Sequence, residues 1–77
     1  LIRLYSHAAN LSLAIEETSD GFFLYTFDRS TGFLGDIWHQ SVADALAQAA
    51  HDAGSSEWSA VPAEVTDLGV FLKQDSN

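Results

Sequence analysis

Seventy-seven residues give room for a single domain over residues 1–77, and a chain this short buries only about 60% of its unfolded surface. The absence of cysteine excludes disulfide scaffolds, Cys-based zinc folds and thiol catalysis, and no apolar run approaches the roughly 18 residues of a membrane span. Eleven acidic residues against three basic ones (Arg3, Arg29 and Lys73) give a net charge of -8, too few cations to bind nucleic-acid phosphates or anionic membranes. Of the 36 hydrophobic residues 11 are alanine, so 25 larger side chains must build the core. An aromatic content of 12% sets the chain apart from disordered sequences.

Ile2, Leu4 and Ser6 alternate with Arg3, Tyr5 and His7, which suits a short first strand ending at a bend around Ala8-Ala9-Asn10. Leu11, Leu13 and Ile15 then face one way, and Ser12, Ala14 and Glu16 the other. This half-buried strand ends at Ser19-Asp20-Gly21, a tight-turn signal. Phe22 to Asp28 carries apolar side chains on both faces: Phe22 and Leu24 on one, Phe23, Tyr25 and Phe27 on the other. Asp28 to Gly32 is the next turn. Phe33 to His39 is a further strand, in which Gly35-Asp36 predicts a bulge.

The clearest predicted element is a helix over 41–53. Ser41 is its N-cap, with Asp44 three residues on, and Gly54 sits at the C-cap position. Val42, Ala45, Leu46, Ala49 and Ala53 share one face. So alanine-rich a stripe brings the helix close to the sheet, with Phe22 and Trp38 the rings expected to fill the groove beside it. Beyond Ser55-Ser56, Val61 before Pro62 predicts a short extended stretch. A short helical turn is expected from Pro62 to about Leu68, then a break at Gly69 and an extended segment over Gly69-Val70-Phe71-Leu72. Residues from Lys73 onward are expected to fray.

The residues Asp20-Gly21, Phe23-Leu24-Tyr25, Asp28, Gly32, Gly35-Asp36, Trp38-His39, Asp44-Ala45, Gln48-Ala49 and Trp58 form a pattern of two Gly turns around an aromatic strand, then Gly-Asp-x-Trp-His and a helix. Over about two thirds of the chain, from Leu11 to Val61, this resembles a group of small, mostly uncharacterised bacterial domains. The resemblance implies a compact α+β domain and no catalytic residue to carry over.

Candidate chemistry is sparse. Asp36 and His39 are the polar pair that an enzyme would use, since a carboxylate beside an imidazole favours its protonated form and suits acid-base work. The structural alternative is that both satisfy backbone groups where the helix begins. His7, His39 and His51 show no metal-ligand spacing, and His51 near a helix C-terminus is explained by the dipole. Glu16 and Glu17 point to opposite faces of a strand and cannot share a proton. Serines lack a nucleophile motif and no Gly-rich phosphate loop occurs. No metal or cofactor is expected.

The strongest lead is the stripe Phe23, Tyr25 and Phe27. A single helix covers one sheet face, so the stripe must be covered by the C-terminal segment, by a second copy of the chain, or by another protein. The sequence therefore predicts an α+β fold: an antiparallel sheet of three to four strands, one helix packed on one face, and a short extended C-terminal segment. The expected function is non-enzymatic. It is that of a small acidic cytoplasmic domain acting through protein contacts, as a homodimer, with Phe23, Tyr25, Phe27, Glu16 and Asp28 as interface candidates. Two alternatives stand beside it: an immunity- or inhibitor-type protein masking a basic partner, and an enzyme using Asp36 and His39.

Overall fold

Four successive strands form a meander in the computed structural model, which describes residues 1–75. They are β1 (Arg3–Ala8), β2 (Leu11–Thr18), β3 (Gly21–Asp28) and β4 (Gly32–His39), followed by helix α1 (Val42–Ala53), a two-residue strand β5 (Ser59–Ala60) and helix α2 (Leu68–Asp75). The sheet is antiparallel throughout, in the order β4-β3-β2-β1-β5. The N-terminal strand therefore pairs within its own chain, on both sides. β5 is a fifth strand beyond the three to four expected. After it Val61 still donates to Arg3 O at 3.0 Å, and Pro62 then removes the next donor.

The two-residue alternation fixes which side chains meet. Register pairs Leu4 with Ile15, Ile15 with Leu24, and Leu24 with Ile37, so these four share one face. On that face Leu13, Ile15 and Leu24 form the core with Ala45 and Ala49 of α1, both helix residues fully buried. The caps act as the sequence indicates. Ser41 Oγ accepts the Asp44 N–H at 3.1 Å, and Gly54, at φ 68°, donates to Ala50 O at 3.0 Å while Ser55 donates to Ala49 O. The ring expected from Trp38 comes instead from Trp58, which packs against this core from the segment after α1. Trp38 is in register with Phe23, and that parity puts it on the opposite face. Ser55 and Ser6 are buried and their hydroxyls bond to each other, fastening the segment after α1 to β1.

The C-terminal part departs most from expectation. Residues 62–65 make only a turn, closed by Val65 N–H to Pro62 O at 3.1 Å. The segment over Gly69–Leu72 is helical, not extended. Asp67 starts it: its Oδ1 accepts the Val70 N–H and its carbonyl accepts the Phe71 N–H. Gly69 lies in the first turn of α2, where a helix tolerates it, and so does not break one. The helix continues through Lys73 to Asp75, and the fraying expected of residues 76–77 lies outside the described residues. α2 lies on the sheet face opposite α1, with Phe71 edge-on to Tyr5 at 5.0 Å and Leu72 buried. Arg3 holds the approach to it, its guanidinium donating to the carbonyls of Pro62, Ala63 and Val65.

Candidate interaction site

The face under α2 carries the whole aromatic stripe, and α2 covers only part of it. Phe27 lies against Gly69, where an added Cβ would come 3.5 Å from the ring. Phe23 and Tyr25 lie farther along β3, stacked at 6.2 Å and 17°. Next to them on β4 come Asp36, paired with Tyr25, and Trp38, paired with Phe23. Phe27 and Phe33 meet across the strands at 5.4 Å, tilted 60° to each other. Of the three ways to cover the stripe, the C-terminal segment accounts for the Phe27 end and leaves the β4 side open.

β4 is the open rim of this site. As an edge strand of eight residues it carries Phe33, Leu34, Ile37 and Trp38, each 49–59% exposed. Its bulge falls at Leu34, between Phe33 and Gly35, one residue before the predicted place. Beyond it Gly35–His39 runs in regular register. The opposite edge, β5, is two residues long and ends near a proline, which protects it from pairing.

Trp38 also has a structural task. Its Nε1 donates to Asp20 O at 3.1 Å, and its ring lies over Gly21. Gly21 has φ 146°, and a Cβ there would meet Trp38 Nε1 at 2.5 Å and His39 O at 2.9 Å. Asp20-Gly21 and Trp38, distant parts of the sequence pattern, are therefore one lock between the β2–β3 turn and β4. Their pairing calls for a glycine and an indole on packing grounds alone.

The interface candidates separate into different roles. Asp28 Oδ1 accepts the N–H groups of Ser30 and Thr31 at 2.8 and 3.1 Å, so it shapes the β3–β4 turn. Glu16 Oε1 accepts the Tyr25 hydroxyl at 3.0 Å. Burial, the hydrogen bond to Glu16 and the charges of Glu16 and Asp36 push the Tyr25 phenol from 10.0 up to about 12. The folded chain thus favours neutral tyrosine, and the stability this gives is complete below pH 10 and lost as the pH rises through about 12. Absorbance titration at 295 nm should show one late-ionising tyrosine, removed by Tyr25→Phe and moved earlier by Glu16→Gln. A Tyr25 step at its ordinary position would contradict the Glu16 contact.

Asp36 and His39 do not converge. Asp36 shares a face with Tyr25, while His39 pairs with Phe22 on the α1 face and its Nδ1 lies 3.2 Å from Ile37 O. His7 Nδ1 lies 2.8 Å from Ser12 Oγ, and His51 is exposed in the last turn of α1. Among the described residues no group of three His, Cys, Asp or Glu could hold a metal ion.

Sequence reasoning missed a groove of about 370 Å³ between the stripe and the start of α2. Tyr25, Phe27 and Phe33 line it together with Glu16, Asp67 and Gly69. Asp67 and Gly69 had been assigned to a turn and a breaker, so nothing linear pointed to them. The signal available was Asp67 three residues before Val70, which reads as a helix cap. Compared with protein-family models, with curated proteins and with solved structures, the chain matches none.

Proposed function

We propose that this is a small non-enzymatic domain that acts through protein contacts and pairs with a second copy through β4. The observation behind the reading is the open β4 edge, with Ile37 and Trp38 half exposed on opposite faces of a regular stretch. Long edge strands with exposed apolar side chains and no lysine or proline invite another strand. Two β4 strands meeting antiparallel about a two-fold axis would join the sheets and cover these side chains. Among the described residues no helix is long and apolar enough to cross a membrane. A cytoplasmic setting belongs to the same proposal.

Light scattering over a range of protein concentrations tests the pairing, with Ile37→Lys as the variant because an edge lysine opposes strand addition. The wild-type chain should show the mass of two copies, and Ile37→Lys should weaken pairing at least about tenfold with an unchanged circular dichroism spectrum. Each copy carries -8, so added salt should strengthen the pair by screening repulsion. A mass of one chain at every concentration would overturn the reading.

A further inference from the structure

We infer that the groove between β3 and α2 receives an arginine side chain from a basic protein partner. Its floor is aromatic and its walls are acidic. Phe27 and Phe33, tilted 60° to each other, form a corner beside Tyr25. Aromatic faces set at such an angle attract a cation by their quadrupoles, and a planar guanidinium also stacks on them. Glu16 enters from β2 and Asp67 from the start of α2, so the carboxylates stand on two different elements.

Both carboxylates are held in place before any ligand arrives. Glu16 accepts the Tyr25 hydroxyl, and Asp67 Oδ1 accepts the Val70 N–H at 3.1 Å. Asp36, opposite Tyr25, adds a third negative charge beside the groove. Of the chain's own cations, Arg3 stands across from Glu16 in the β1–β2 register but donates its guanidinium to three loop carbonyls, and Arg29 and Lys73 line an adjoining cleft of about 180 Å³ that shares Phe27 and Gly69 with the groove. The Tyr25 phenol is pushed up chiefly by burial, with the Glu16 hydrogen bond and the charges of Glu16 and Asp36 adding to it. A guanidinium fits these walls better than an ammonium, because its fork presents donors in two directions while its face rests on the rings. A net charge of -8 steers a basic partner toward the site. The inference is independent of pairing through β4, since the groove is complete within one chain.

The test is a titration of isotope-labelled protein with acetyl-Gly-Arg-Gly-amide, followed by NMR and repeated with citrulline and with lysine in place of the arginine. Citrulline keeps the shape and removes the charge. The expected result is a saturable shift centred on Glu16, Tyr25, Phe27, Phe33 and Asp67, weakened about tenfold or more by citrulline and less by lysine. The double variant Glu16→Gln, Asp67→Asn keeps the acceptor oxygens for Tyr25 and for the α2 cap, so it should stay folded and lose affinity to the same degree. Equal binding of the citrulline peptide, tighter binding of the lysine peptide, shifts centred elsewhere, or no saturable shift up to the solubility of the peptide would each overturn the inference. Repeating the titration on Ile37→Lys should give the same affinity, so failure of the groove and failure of self-pairing are read separately.

Discussion

Gly21→Ala is expected to remove a large part of the stability of this domain. The backbone there, at φ 146°, is close to glycine-only territory, and such strain costs about 1–3 kcal/mol. The added Cβ would also come within 3.0 Å of the Trp38 ring and of the His39 carbonyl, and neither is the loose end of a flexible chain. Overpacking of this kind adds about 1–3 kcal/mol. The whole domain is worth only about 0.05–0.15 kcal/mol per residue, so a combined loss of about 2–6 kcal/mol leaves it near the unfolding threshold. A thermal scan should show a midpoint lower by about 10 °C or more. Gly69→Ala is the contrast. Its Cβ meets nothing nearer than 3.4 Å and no positive φ is involved, so helix propensity should raise stability by about 0.5–1 kcal/mol. Equal effects of the two substitutions would show that Trp38 does not rest on Gly21 in solution.

Leu72→Asp is expected to cost about 3–5 kcal/mol, because it removes a side chain only 1% exposed and puts an unpaired charge in its place. The loss should fall on one side of the sheet first. α2 shares no core residue with α1, whose cluster of Leu13, Ile15, Leu24, Ala45 and Ala49 lies on the other face. Hydrogen exchange should therefore rise in 62–75 and around Tyr5 and Phe27 before it rises in α1. Binding of a hydrophobic dye should increase as the stripe is uncovered. Uniform exchange across both faces would mean that the two layers unfold together and that α2 is not a separate cover.

These two substitutions mark where local information ends. The β2–β3 turn, the strand over Phe22 to Asp28, the alanine face of α1 and both of its caps follow from periodicity and from Ser41 and Gly54, because each depends on residues within one turn or one hairpin. Leu11, Leu13 and Ile15 were assigned correctly to one face for the same reason. The split of the stripe into Phe22 and Leu24 against Phe23, Tyr25 and Phe27 needed only alternation. The C-terminal segment did not follow. Gly69 reads as a breaker when only its propensity is considered, and the contact that offsets this propensity lies on β3, some forty residues earlier.

What the sequence alone determined is the α+β class, a meander of three to four strands, α1 with its limits, and a net charge of -8. Each of these rests on short-range periodicity, capping or summed composition. Tertiary structure decided the rest. It placed β5 beside β1, laid α2 over half of the aromatic stripe, and sent Trp38 to the Gly21 lock and Trp58 to the α1 core. It also brought Glu16 and Asp67 to one groove. The physical reason is the same in every case: two residues far apart in the chain meet only when sheet register and helix docking fix their distance, and no local pattern encodes that.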